Sequence, residues 1–160
     1  MILEKLNFRG LGLAFALAAA FAVSACANKP HDAMANAGAA TPGSQQDFVV
    51  NVGDRVFFES DSSELSQQAR ATLEKQAQWL QQYGNYAFTV EGHADERGTR
   101  EYNLALGERR ANAAKQFLIA NGVPEGRLTT ISWGKERPVA VGSNEEAWAQ
   151  NRRAVTVIIR

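Results

Sequence analysis

The sequence predicts an α/β sandwich of order βαβαβ(α)β, with its helices together on one face of a sheet. Three observations predict it. Four short runs rich in β-branched and aromatic residues recur along the C-terminal two thirds. Two longer segments between them carry apolar residues at helical spacing, each opened by a hydroxyl side chain. Gly, Asn and Pro interrupt the chain where one period gives way to the other. Alternating strands and amphipathic helices of these lengths bury their apolar faces as a layer of helices on a sheet.

Residues 49–58 (VVNVGDRVFF) read as the first strand, bent at Gly53. Ser66 is placed to cap a helix reaching about Tyr83, with Leu65, Ala69, Leu73, Ala77 and Leu80 at helical spacing. Gly84-Asn85 ends it. Residues 86–91 (YAFTVE) alternate and form the second strand. Thr99 caps a second helix to about Asn121, stopped by Gly122 and Pro124. Residues 128–133 (LTTISW) give a third strand, Glu145–Gln150 a short helix and residues 153–159 (RAVTVII) the last strand. The domain therefore spans 48–160, a length that supports one hydrophobic core and not two.

What precedes the domain reads as an address and a tether. Lys5 and Arg9 give a basic start, and residues 11–23 (LGLAFALAAAFAV) are unbroken apolar and small residues. A spanning helix needs about 20 apolar residues, so this run fits the core of an export signal covering residues 1–25. Val23-Ser24-Ala25-Cys26 resembles the lipobox of bacterial lipoproteins, in which the cysteine becomes the first mature residue and carries acyl chains on its sulfur and amine. Each buried CH₂ contributes about 0.8 kcal/mol, and two or three chains together make a lasting anchor. Ala27, rather than Asp, follows the cysteine; by resemblance to the known sorting pattern such a chain goes to the outer membrane, facing the periplasm. Residues 27–47 (ANKPHDAMANAGAATPGSQQD) lack an apolar period and read, with Cys26, as a flexible linker. Its ends would lie roughly 25 Å apart on average.

Composition narrows the function. Lys+Arg 17 balances Asp+Glu 17, which argues against a nucleic-acid binder held by phosphate contacts. The single cysteine excludes an intramolecular disulfide. His93, Asp95 and Glu96 lie in one loop without a second histidine or a cysteine set, so no metal or other cofactor is expected. No G-x-S-x-G is present to support a serine hydrolase, and the chain is not read as an enzyme.

The second helix holds the candidate chemistry. Its apolar stripe reads Tyr102, Leu106, Ala113, Phe117, and Arg110 falls on that stripe. A guanidinium stays charged, so its burial calls for a partner. The preceding loop, residues 91–99 (EGHADERGT), leaves a strand end and opens onto a helix N-terminus, where α/β sheets often bind ligands. Asp95 sits in it. An acid and an arginine at one mouth suit a ligand carrying both an ammonium and a carboxylate. A purely structural Asp95–Arg110 pair accounts for the spacing equally well.

EGHADERGT (91–99), EYNLALGERRAN (101–112), SWGKERP (132–138) and NRRAV (151–155) resemble, in order, the motifs of the peptidoglycan-associated lipoprotein family, whose globular part is an OmpA-like C-terminal domain. The match covers roughly 55–160. The resemblance implies non-covalent binding of peptidoglycan through the meso-diaminopimelate of its stem peptide, whose side chain ends in an ammonium and a carboxylate. It implies that Asp95 and Arg110 grip that end, with Thr99, Leu106 and, from VFFESDSSEL (56–65), Asp61 also at the site. It implies an anchor at acylated Cys26, a partner in TolB of the Tol–Pal system, and a role in envelope integrity and cell division. The chain departs from the family pattern at Ser60, where many relatives have an aromatic, and at Arg100, where proline is frequent. A protein-interaction module and a wall-cleaving hydrolase are the competing classes.

Overall fold

The computed structural model describes residues 40–159. The expected signal segment, the lipobox with Cys26 and the linker up to residue 39 lie outside the described residues. The described chain forms four strands: β1 (Arg55–Phe57), β2 (Ala87–His93), β3 (Leu128–Gly134) and β4 (Arg153–Ile159). Between them lie α1 (Gln67–Gln82), α2 (Arg100–Ala120) and α3 (Glu145–Asn151). The sheet order is β1-β4-β2-β3. β4 runs antiparallel to both β1 and β2, whereas β2 and β3 are parallel and joined through α2, a βαβ crossover. The α/β sandwich expected from the sequence is thus the observed fold.

The helix boundaries follow from their caps. Ser66 Oγ accepts from Ala69 N at 3.1 Å, Thr99 Oγ1 from Tyr102 N at 3.2 Å, and Asn144 Oδ1 from Ala147 N at 2.9 Å. Each side chain satisfies a backbone donor that the first helical turn leaves without a partner. At the other end of α1, Arg127 donates to the carbonyls of Leu80, Tyr83 and Tyr86 at 2.8–3.0 Å, a cation placed on the carbonyl end of the helix. Ala69, Leu73, Ala77 and Leu80 are buried as their spacing predicts. They close a core with Phe88 and Val90 of β2 and Ala111, Ala114 and Leu118 of α2.

Two expectations are corrected. Residues 49–58 do not form one strand; only Arg55–Phe57 pairs with β4. Residues Gln45–Asp47 and Phe48–Val52 are helical turns, closed by Gly53, whose φ of +91° suits glycine. Phe48 overrides the alternation of VVNV, because its ring is buried 4.9 Å from Trp79 and 6.1 Å from Phe88. Asp47 fixes the same turns by accepting from Gly43 N, Asn51 Nδ2 and Trp79 Nε1 at 2.8–2.9 Å. Residues 43–47, expected at the end of the linker, therefore contact the domain. The second correction concerns α2. Its buried residues are Asn103, Leu106, Gly107, Arg110, Ala111, Ala114 and Leu118, not the stripe through Tyr102, Ala113 and Phe117.

The reason for that rotation is a glycine seam. A methyl group built on Gly92 would collide with the Gly107 carbonyl oxygen, and one built on Gly107 would stand 2.9 Å from the Gly92 oxygen and still closer to Ser132 Oγ. The backbone of α2 therefore lies directly on β2 at Gly107, which turns Leu106, Arg110, Ala111, Ala114 and Leu118 inward and leaves Tyr102 exposed. Ser132 Oγ seals the seam by donating to Leu104 O at 2.6 Å. Overpacking such a contact costs about 1–3 kcal/mol. Gly107→Ala is expected to lower unfolding stability by that amount in urea denaturation, and an unchanged midpoint would show that the seam is not tight.

Candidate functional site

The loop at the β2–α2 junction, together with residues 58–64 after β1, encloses a cleft of about 290 Å³. Asp61, Asp95 and Leu106, three of the predicted site residues, line it, as do Ser60, Arg97 and Tyr102. Thr99 is not in the lining; it serves as the N-cap of α2. Arg110 is not in the lining either. It is fully buried, with 0% of its surface exposed.

Arg110 does not pair directly with Asp95. Its guanidinium donates to three backbone carbonyls: Nε to Ser62 at 2.8 Å, Nη1 to His93 at 2.9 Å and Nη2 to Glu59 at 3.1 Å. The Phe58 ring lies 5.2 Å from its central carbon. Burial pulls its pKa down to about 10, which Asp95 and Asp61 partly oppose, so the group is charged at neutral pH. A guanidinium has five N–H donors, and these bonds use three of them.

Asp95 instead meets two other arginines. Arg97 donates to it three times, from its backbone N and Nε to Oδ1 at 3.1 Å and from Nη2 to Oδ2 at 2.7 Å. Arg152 Nη1 lies 3.5 Å from Oδ2. Burial pushes the Asp95 carboxyl up, but the Arg97 bonds and charge and the Arg152 bond outweigh it and hold the group below the ordinary carboxylate range. Arg152 is fixed in turn by Phe58 O at 3.0 Å and Glu145 Oε1 at 2.6 Å. On the opposite wall Asp61 adopts φ +54°, a left-handed conformation that aspartate tolerates, and accepts from the Tyr102 hydroxyl.

Sequence reasoning therefore missed Arg97, Arg152 and Tyr102. Arg97 carried a signal, since it stands two residues after Asp95 in the same loop. Tyr102 was assigned to the buried stripe, yet lies exposed beside the cleft. Arg152 is 57 positions from Asp95 and carried none.

His93 lies under the cleft on the strand itself. It is 2% exposed, and among the described residues neither ring nitrogen has a hydrogen-bond partner. Burial, then the charges of Arg153, Arg137 and Arg55, pull its pKa to about 3. The ring is therefore neutral at neutral pH, and Glu91, 3.6 Å away, does not form an ion pair with it. Among the described residues no group of three His, Cys, Asp or Glu side chains is arranged to hold a metal ion.

The molecule is thus a small α/β domain with a cleft at the end of its βαβ unit, lined by the carboxylates of Asp61 and Asp95 and the guanidinium of Arg97. The sequence pattern of the OmpA family matches residues 57–152. The chain is 60% identical over 150 residues to a protein of Agrobacterium fabrum named peptidoglycan-associated lipoprotein, with 89% of this chain and 85% of that one covered. A protein of the same name from Pseudomonas aeruginosa is 42% identical over 166 residues, covering 94% and 97%. The crystal structure of the peptidoglycan-associated lipoprotein from Burkholderia pseudomallei superposes with a TM-score of 0.65 at 43% identity, over 66% of this chain and 90% of that one. The C-terminal domain of Helicobacter pylori MotB shares the fold at 24% identity and a TM-score of 0.63, over 67% and 84%. The chain belongs to the OmpA family, in its peptidoglycan-associated lipoprotein branch. The names of these relatives state association with peptidoglycan and not its cleavage.

Two outcomes test the site's construction. Removing a buried charged group that satisfies other buried polar groups typically costs about 3–5 kcal/mol. Arg110→Ala is expected to lose that much stability in urea denaturation, and a loss below 1 kcal/mol would show that the three carbonyls find other donors. The second concerns pH. The native His93 pKa lies below its ordinary value, so the unfolded chain takes up the proton first as pH falls below about 6.5. Stability then declines by about 1.4 kcal/mol per pH unit from this group until the native ring titrates near pH 3. Between pH 6 and 4, His93→Gln is expected to lose distinctly less stability than the parent protein. Equal losses would mean that the ring is protonated in the folded state.

Proposed function

We propose that this protein is an outer-membrane lipoprotein, anchored through acylated Cys26, that holds peptidoglycan without a covalent bond by gripping the meso-diaminopimelate of its stem peptide. The observation that carries the reading is the recessed Asp95 carboxylate in the lining of one cleft, with the Arg97 guanidinium beside it. The free end of diaminopimelate bears an ammonium and a carboxylate on one carbon. Asp95 takes the ammonium. Arg110, fully buried and outside the lining, favours the carboxylate through its charge rather than by direct contact. Leu106 offers the ligand's methylene chain an apolar wall. Asp61 and Tyr102 flank the opening. Thr99 contributes by holding the first turn of α2 in place.

Relatives 60% identical over most of the chain and named peptidoglycan-associated lipoprotein support this reading, as do the lipobox and linker seen in the sequence. The same kinship supports membership of the Tol–Pal system, with TolB as protein partner and a part in envelope integrity and division. In this account the linker lets a domain fixed to one membrane reach the cell wall beside it.

Sedimentation with purified sacculi tests the cleft. Removing one partner of a desolvated charge pair costs about 2–5 kcal/mol, or roughly thirtyfold or more in affinity. Asp95→Asn is expected to stay folded, with a lowered melting temperature because buried Arg152 loses its counter-ion, and to cosediment at least thirtyfold more weakly at a temperature where it is fully folded. Undiminished cosedimentation would remove Asp95 from the site. For the anchor, mass spectrometry of the mature N-terminus is expected to find acyl chains on Cys26, and an unmodified cysteine would refute it.

A further inference from the structure

Asp95 is held by two arginines of opposite character. The Arg152 side chain is 5% exposed and is held by further bonds to Phe58 O and Glu145. It is a permanent counter-ion. The Arg97 side chain is 40% exposed. Beyond Asp95, its guanidinium meets Ser60 Oγ at 2.9 Å and the face of the half-buried Trp148 ring at 4.2 Å. It occupies the place on Asp95 at which a ligand's ammonium would bind.

We propose that Arg97 is an exchangeable cation: the ligand's ammonium displaces its side chain from Asp95, and the displaced guanidinium then takes the ligand's carboxylate, so that the cleft selects a zwitterion over a plain amine. The proposal rests on the reading of the cleft given above.

The loop is built to let the side chain leave without the backbone. Asn103 Nδ2 donates to Arg97 O at 2.7 Å, and Lys135 Nζ donates to the carbonyls of Glu96 and Gly98 at 3.1 and 2.7 Å. The Arg97 backbone N remains bonded to Asp95 Oδ1 whatever the side chain does. Asp95 therefore keeps its orientation and its Arg152 counter-ion while it trades one cation for another. The charge count decides the selectivity. A ligand with an ammonium alone replaces Arg97 on Asp95 and leaves that guanidinium without an anion. A ligand with a carboxylate on the same carbon supplies the anion, so that every charge ends paired. A diaminopimelate side chain meets this condition and a lysine side chain does not.

Titration of the full-length protein in detergent with two stem tetrapeptides, one containing meso-diaminopimelate and one containing lysine at the same position, tests the exchange. The parent protein is expected to prefer the diaminopimelate peptide. In Arg97→Gln that preference is expected to fall at least tenfold, chiefly because the lysine peptide binds more tightly once its internal competitor is gone, and Arg97→Lys is expected to restore part of it. Trp148 emission should change when the diaminopimelate peptide binds the parent protein and not when it binds Arg97→Gln. A preference within twofold of the parent's, or equal weakening of both peptides, would make Arg97 a structural support of Asp95 and overturn the exchange alone. If the parent protein binds neither peptide, the reading of the cleft fails and the exchange with it.

Discussion

The buried Arg110 guanidinium is the interaction on which the rest of the structure depends. Its three bonds tie the segment after β1, through Glu59 and Ser62, to the end of β2, through His93, and both to the middle of α2. These pieces are up to 51 residues apart in the chain, and together they form the walls and floor of the cleft. A lysine has a single nitrogen on a flexible stem and cannot serve three carbonyls in one plane, whereas the planar fork of arginine can. The charge that an isolated helix would keep in water is thus turned inward to organise irregular backbone. Arg127 does the same work at the opposite end of the molecule, where it joins the end of α1 to β2.

A second principle governs the charges. Arg97, Arg110 and Arg152 surround the Asp95 carboxylate and keep it ionised despite its burial. Burial first, and then the charges of a different set, Arg153, Arg137 and Arg55, keep His93 neutral. The cleft therefore holds a fixed pattern of charge throughout the neutral range, with no histidine switching in it. Such a pattern suits a protein whose task is to hold on to a ligand rather than to move protons.

Precision at the cleft comes from the contact of α2 with β2. The glycines at 92 and 107 bring helix and strand backbones together, so the first turns of α2 carry Thr99, Tyr102 and Leu106 to fixed places beside the β2 loop. The helix starts where Thr99 caps it, and the loop before it is pinned by Lys135 and Asn103. Helix and strand position the site, and in the exchange proposed above only the Arg97 side chain moves.

The sequence by itself determined the order of strands and helices, three helix starts within a residue, and the presence of a charge, Arg110, on the inward side of α2. These depend on local physics: a hydroxyl three residues before a backbone N–H, an apolar period, a charge in an apolar stripe. It also carried, through the motifs at 91–112, the family to which the chain belongs. Tertiary structure alone decided who partners whom. Residues 49–52 left the strand because Phe48 found a buried place against Trp79 and Phe88, a contact across 31 and 40 positions. Tyr102 moved out of the helix stripe because two glycines, mute in any hydrophobic pattern, set the rotation of α2. Arg110 met carbonyls rather than Asp95, and Asp95 met Arg152, because the fold brings residues 58–64, 95 and 152 to one point. No spacing along the chain encodes that meeting, since a salt bridge depends on distance in space and the chain supplies that only after it has folded.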